Sequence, residues 1–388
     1  MVVEQIYEFI NGANAQLWGK DALKVNDLTG IIALGDSVMS SATDKEQYLG
    51  VLFDRIGKTI LRNLNLEVEF PSFIRNEFEW GAVLNKIDIQ PLTAQEQKAW
   101  DVGADDFEPN NFAVDKPKIY SRLFKGGKGA WEFHVTIPDI YLKSAFTSAE
   151  AYGAFIEGIM ASMTDSMTQS FNSMAHACLT NLVAEKIKAG NGVVNLLPLY
   201  NATLNSPITA EQARTDKECY RFSNMIMNNY LKYLEQPSVL FNTGIDGDAI
   251  VRATARDNMH VILSADYASA MRSYLLATDY NYTFSDFKYY DEFVTLQAEK
   301  DATHSRPSFA TNTSINVKPS SGGNAIVQTG IVGIFADRQA LGTYYEDVFS
   351  ATDRNNRNRY TGYTSGATVG YFNDLSENAV IFLLADED

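Results

Sequence analysis

Cysteine is scarce in this chain, with two in 388 residues. Cys178 and Cys219 are too few for a disulfide scaffold or a thiolate metal cage. They read as two reduced thiols in or near the core, Cys178 lying on an apolar helical stripe. Histidine is almost as rare: His134, His176, His260 and His304 are scattered, without the HxxxH or HExxH spacing that sets two on one helix face. Basic charge is also short, since 32 Lys and Arg face 48 Asp and Glu for a formal net charge of -16. Sequence-independent binding to phosphate backbones draws its free energy from Lys and Arg releasing counterions, so this balance disfavours an ordinary basic nucleic-acid binder. No window is apolar for long enough to span a bilayer. The first twenty residues lack a basic start followed by an apolar core, so no signal peptide is read there. A soluble protein made in a reducing cytoplasm is expected.

Catalytic patterns are missing too. Gly126, Gly127 and Gly129 with Lys125 and Lys128 do not have the P-loop spacing or its following Ser or Thr. The acidic pairs Asp105/Asp106 and Asp246/Asp248 do not fit an EF-hand loop. No Ser-His-Asp or Cys-His set emerges. The expectation is no catalytic, cofactor-binding or metal-ligating residue.

What the chain does have is apolar material, 45% hydrophobic and 12% aromatic, enough for a packed interior. Its length points to two lobes or an elongated subunit rather than one simple globule. Residues 1 to about 48 mix short apolar stretches with Gly, Asn, Asp and Ser, as in an extended arm with short helices that needs a partner surface. Leu49, Leu52, Phe53, Ile56, Ile60 and Leu61 predict a short amphipathic helix over 49–62. From Leu64 to Ile89, aromatic or aliphatic residues alternate with charged ones, a strand pattern. A second strand pair is expected in KPKIYSRLFKGGKGAWEFHVTIPDI, folded at the glycine-rich turn Lys125 to Gly129. Polar, acidic LTAQEQKAWDVGADDFEPNNFAVD lies between. The whole reads as a two-stranded excursion over 64–142. An isolated hairpin is marginal in water, so Phe73, Phe78, Trp80 and Trp131 are candidate contacts with a neighbouring subunit.

Thr147 and Glu150 have the spacing of a capping box. Beyond them Tyr152, Ile156, Ile159, Met163, Met167, Phe171, Met174, Cys178 and Leu182 recur in steps of three or four. One helix over 147–189 is predicted, about 60 Å long at roughly 1.5 Å per residue. Its other faces carry small residues, among them Gly153, Gly158, Ala161, Ser162 and Ser173, which let other backbone come close. A dimeric coiled coil would usually carry charged residues beside its seam, and packing under a sheet fits better.

A second helix is predicted from about Ala210 to Leu234, ending before Pro237. From Ser238 to about Tyr345, HVILSADY, ASAMRSYLLA and IVGIFADRQ read as strand, helix and strand of a separate α/β lobe. The tail from 346 to 385 returns to strands, TVGYF and AVIFLL the strongest. AVIFLL is apolar without alternation and is expected inside a sheet, the one over the long helix. The run RNNRNR sets Arg354, Arg357 and Arg359 in the one dense basic cluster of an acidic chain. They are candidate intersubunit contacts, their guanidinium forks clamping carboxylates such as those of DVGADDFE on a neighbour, with a plain exposed turn as the alternative.

Arm, short helix, long strand excursion, very long helix, α/β lobe and returning sheet, in that order, resemble the HK97-like capsid fold of tailed bacteriophages. The stretches FDRIGKTILR, FHVTIPDIYLKSAFTSAEAYGAFIEGIM, DNMHVILSAD, GIFADRQALGTYYEDVF and AVIFLL are similar to the phi29-like podovirus capsid proteins, over most of the chain from about Phe53. The resemblance implies an α+β fold with an N-terminal arm (1–48), the start of a P-domain (49–63) and an E-loop β-hairpin (64–142). The P-domain with its spine helix (143–240), an α/β A-domain (241–345) and a return to the P-domain sheet (346–388) follow. It further implies a non-catalytic shell subunit of the virion capsid, without cofactor or membrane. Its partners would be itself in pentamers and hexamers, a scaffolding protein, a portal, and packaged double-stranded DNA held without sequence-specific contacts. An acidic wall suits enclosing DNA without adhering to it. No Lys and Asn pair for covalent crosslinking is identified, and with AVIFLL near the end no appended immunoglobulin-like decoration is expected. Two alternatives are an encapsulin-like compartment shell and an α/β enzyme built on residues 241–345, the latter disfavoured by the missing nucleophile, metal set and cofactor loop.

Overall fold

The computed structural model describes residues 3–18, 24–40, 44, 46–52, 69–74, 83–90, 117–125, 129–204, 206–276, 290–297 and 312–386. Helices α1 (Val3–Trp18) and α2 (Leu28–Met39) come first, then strands β1 (Val83–Ile89), β2 (Ile119–Lys125) and β3 (Gly129–Pro138). Helix α3 (Asp139–Ala145) leads into α4 (Ala149–Ala189). Strand β4 (Val193–Asn195), helix α5 (Lys217–Glu235), β5 (Met259–Ser264), helix α6 (Ala265–Leu276) and β6 (Asp291–Phe293) follow. The remaining strands are β7 (Ile315–Val317), β8 (Ile326–Gln328), β9 (Ile331–Asp337), β10 (Leu341–Asn355), β11 (Tyr360–Asn373) and β12 (Ala379–Leu383). The chain forms two compact units, 1–82 with 126–175 and 343–371, and 83–125 with 176–342 and 372–388.

The first unit buries Ile10, Ile31, Leu34, Val38, Tyr48, Leu49, Leu52, Tyr152, Met163, Met167 and Phe171 in one cluster. The N-terminal region is thus no bare arm, because the inward sides of α1 and α2 join this core. Asn11 ties α1 to the segment that leads into α2, its Nδ2 donating to the Val25 carbonyl at 2.9 Å while its Oδ1 accepts from the Val25 N–H at 2.7 Å. Asp27 caps α2 by accepting from Gly30 N–H at 2.8 Å. Only glycine fits at position 35, where a Cβ would stand 2.7 Å from that of Phe146. Residues 46–52 are helical, and 53–62 of the predicted helix lie outside the described residues.

The long helix has 41 residues, about 60 Å at roughly 1.5 Å per residue. Its apolar stripe is buried from Tyr152 through Met163, Met167, Phe171 and Met174 to Cys178 and Leu182. The expected capping box is absent: Ser148 Oγ accepts from Ala151 N–H at 3.1 Å, whereas Thr147 donates its hydroxyl to Ser144. A turn at Phe146 and Thr147 moves the cap one residue on, to Ser148. The small residues Gly158, Ala161, Ser162 and Ser173 are exposed, and nothing lies within 4 Å of a Cβ placed at Gly158. These four face outward, whereas Gly153 of the same set is buried.

The predicted second helix is broken. A turn of helix at Ala210–Ala213 stops, and Asp216 starts α5 afresh by accepting from Glu218 N–H at 2.9 Å. The short Asp side chain competes for backbone donors and converts a helix interior into a cap.

Two strand expectations are corrected by the pairing. The strands flanking the glycine-rich turn do not pair with each other: β2 pairs with β1, and β3 with β11 in a sheet of order β10-β11-β3. The α/β lobe is also not separate from the tail. Strand β12 enters its sheet, whose order is β4-β12-β9-β5-β6. All five residues of β12 are buried, as a strand covered on both faces requires. Among the described residues, no helix is long and apolar enough to cross a membrane, and no group of His, Cys, Asp and Glu is placed to hold a metal ion.

Candidate assembly surfaces

In the second unit, β1 and β2 pair in the register Lys86 with Arg122 and Asp88 with Tyr120, which puts these four on one face of the hairpin. That charged face is the inward one. Lys86 Nζ donates to Asp374 at 2.7 Å and to Glu377. Arg122 reaches Asp374 at 2.6 Å and Asp88 at 2.5 Å, and Arg252 reaches Asp88 at 2.6 Å. Three cations thereby meet three carboxylates, and Asp88, Asp374 and Glu377 are buried. Ser376 completes the site, donating its N–H and hydroxyl to Asp374. Burial works to raise the Asp374 carboxyl, but the Arg122 and Lys86 contacts outweigh it and hold it below the ordinary range; Arg252 and Arg122 do the same for Asp88. At Glu377 burial wins and the carboxyl is raised.

The opposite face carries Ile87, Ile89, Ile119 and Leu123, which are 61, 64, 60 and 53% exposed. Alternation of aliphatic and charged residues usually puts the aliphatic ones inside. Here the assignment is reversed, and four large apolar side chains of one sheet face meet solvent. Farther along, Tyr120 donates to Asp248 at 2.5 Å and Gln90 to the Ala249 carbonyl at 2.7 Å. The ion network was not anticipated from the sequence; its only trace was the charge at alternate positions 86, 88 and 122.

In the first unit the arginine cluster divides. Arg354, on β10, gives the Asp139 carboxylate two bonds, at 2.9 and 2.8 Å, and a third to Thr361. Asp139 raises the guanidinium pKa, against burial. Arg354 is committed inside its own chain and is not free for the expected clamp, because its strand position aims it at the start of α3. Arg357 and Arg359 sit in the exposed turn between β10 and β11, the Arg359 carbonyl accepting from Asp139 N–H at 3.0 Å. The segment DVGADDFE lies outside the described residues.

Phe73 is likewise taken. It is fully buried and stacks on Phe70 at 4.9 Å between ring centroids, so it offers nothing to a neighbour. Phe78 and Trp80 lie outside the described residues, and for Trp131 only the backbone is described, paired with Ala367 in β3 and β11. Both cysteines are buried free thiols, burial pushing Cys178 up to about 12 and Cys219 up to about 11. Neither is a nucleophile at neutral pH.

The 41-residue helix, the three-stranded sheet and the five-stranded sheet are the features by which this fold compares with solved structures. The fold is similar to the capsid structure of Staphylococcus phage Andhra, with a TM-score of 0.52 and 10% identity over 81% of this chain and 85% of that one. It is equally similar to a chain from the structure of the head fiber and inner core protein gp22 of native bacteriophage P68, with a TM-score of 0.52 and 11% identity over 82% of this chain and 83% of that one. This is the HK97-like α+β fold of phage capsids. The model of the Phi29-like phage major capsid protein family matches residues 10–383, and the chain belongs to that family. No curated protein matches it. The chain is therefore a major capsid protein of a phage virion, structural and not enzymatic.

Proposed function

We propose that the β1-β2 hairpin is the part of this capsid protein that grips the neighbouring copy in the shell. The observation that carries this is the exposed aliphatic face of Ile87, Ile89, Ile119 and Leu123. Four large aliphatic side chains on one face of a paired hairpin are what an interface buries, at about 25 cal/mol per Å² of apolar surface. The ion network on the other face supports the same role, since it holds the hairpin against its own unit and presents the apolar face as a fixed surface. The described strands of the excursion are 83–89 and 119–125, and Phe78, Trp80 and Trp131 are further aromatic contacts in this reading. Arg357 and Arg359 are the remaining cationic contacts.

Subunits joined in this way close into pentamers and hexamers, with a scaffolding protein guiding assembly and a portal at one vertex. The acidic chain is made in the bacterial cytoplasm and encloses double-stranded DNA without sequence-specific contacts. Hydrogen exchange compares free subunit and shell. Residues 83–90 and 117–125 should gain protection on assembly, and Ile87→Lys with Ile119→Lys should abolish shells while leaving the circular dichroism of the subunit unchanged. Equal protection in both states would sink the reading.

A further inference from the structure

Two asparagines of this chain are followed by glycine, Asn11 and Asn191. Such a pair is chemically fragile, because a glycine has no side chain to hinder its backbone nitrogen from attacking the carboxamide carbon of the residue before it. The fold treats the two pairs differently. Asn11 and Gly12 lie inside α1, where the Gly12 N–H belongs to the helix ladder and the helical backbone turns it away from the Asn11 side chain. The Asn11 carboxamide is also fixed at both ends, its Nδ2 by the Val25 carbonyl and its Oδ1 by the Val25 N–H. Asn191 stands half-buried in the connection between α4 and β4, outside helix and strand, with exposed Gly190 before it. Gly190 and Gly192 take φ of 66 and 73°, a conformation that glycine adopts without steric cost. Among the described residues, no hydrogen bond engages the Gly192 N–H. The Asn191 carboxamide is held at one end, its Nδ2 donating to the Asn242 carbonyl at 2.5 Å.

We infer that Asn191 is a site of spontaneous deamidation in the folded subunit, and that the fold shields Asn11 from the same reaction. The Gly192 nitrogen bonds to the Asn191 Cγ and gives up its proton, and ammonia leaves as a succinimide ring closes. Water then opens the ring at either carbonyl, giving aspartate or isoaspartate at position 191. Both products lose the donor to the Asn242 carbonyl and set a carboxylate in its place. Isoaspartate also routes the main chain through the former side chain, adding a methylene just ahead of β4. The structure has little slack there. The Gly192 carbonyl accepts from Ile381 N–H at 2.7 Å, and a Cβ on Gly192 would stand 2.3 Å from the Ala379 carbonyl oxygen. Pairing of β4 with β12 begins at the next residue, Val193 with Ile381. A lengthened chain at 191 therefore loosens β4, an edge strand of the five-stranded sheet.

The test ages the purified full-length subunit at mildly alkaline pH, digests it, and follows the peptides that contain Asn191 and Asn11 by mass spectrometry. Labelling with an isoaspartyl methyltransferase counts the isoaspartate. In the folded subunit, conversion at 191 should run several-fold faster than at 11. In urea, where neither pair is held, the two rates should converge. Asn191→Gln should stop the reaction at 191, because its longer side chain closes a ring far more slowly. The aged protein should unfold at a lower urea concentration than a fresh sample, and Asn191→Gln aged in parallel should not. Asn191 that stays intact in the folded subunit while converting in urea, or equal rates at 11 and 191 in the folded subunit, overturns the inference. A rate difference that persists in urea overturns the shielding of Asn11, and an unchanged midpoint after conversion overturns the effect on β4.

Discussion

Arg354 and Asp139, 215 residues apart in sequence, form a two-bonded ion pair at 2.8 and 2.9 Å that fastens the β10 end of a sheet to the start of α3. Their side chains are only 6 and 16% exposed. A buried pair of this kind contributes modestly as a pair but leaves a costly orphan when one member is removed.

Arg354→Ala should therefore destabilise the free subunit by about 3 kcal/mol, seen as a lower urea midpoint. Arg357→Ala with Arg359→Ala should leave that midpoint within about 0.5 kcal/mol, because both side chains meet solvent. Equal effects from the two variants would show that the division of the cluster is wrong.

The hairpin latch makes a second prediction. Asp374 accepts from Lys86, Arg122 and Ser376, and Asp374→Ala leaves half-buried Lys86 and Arg122 with only Glu377 and Asp88 as partners, at a cost of about 3 kcal/mol. Because this carboxyl is held below its ordinary value of 3.8 in the folded state, its contribution is present at neutral pH and is lost as pH falls below that value. Urea unfolding of both proteins at neutral pH and near pH 3 should give a difference that shrinks on acidification.

Lys186 is fully buried, donates to the Phe241 carbonyl at 2.7 Å, and is pushed by burial from 10.5 down to about 8, against the pull of Asp374 and Glu377. Between pH 8 and 10.5 the unfolded chain holds the proton that the folded chain has given up, so stability should rise with pH across that window. Lys186→Met should remove the rise. The carbonyl keeps Ala379 N–H as a donor at 3.0 Å, so the variant should be as stable as the natural protein, or more so, at pH 7. A loss of several kcal/mol at pH 7 would contradict this.

In the long helix, Met167 lies mid-stripe and buried. Met167→Pro removes a backbone bond and clashes with the preceding turn, costing about 3 kcal/mol or more. Expression trials should give no soluble, assembly-competent subunit, and shells from this variant would mean that the helix need not be continuous.

Local periodicity alone was enough for several elements. The 41-residue helix was legible because an unbroken stripe from Tyr152 to Leu182 can bury one face only as a helix. The strands HVILS, IVGIF and AVIFL were legible because continuous apolar runs need cover on both faces. The family resemblance was legible in the order of these elements. Everything that depends on which strand meets which was decided by the tertiary structure. Lys125 to Gly129 reads as a hairpin turn, yet β2 and β3 take partners in different sheets, since partner choice depends on cross-strand complementarity summed over the whole sheet. The alternation around Ile87 could not say which face turns inward: a period of two marks two faces and does not rank them. Only Asp374, Glu377 and Arg252, nearly 300 and about 165 residues away in the chain, make the charged face the buried one. Arg354, Arg357 and Arg359 are alike in sequence, and what separates them is whether a carboxylate lies within reach after folding.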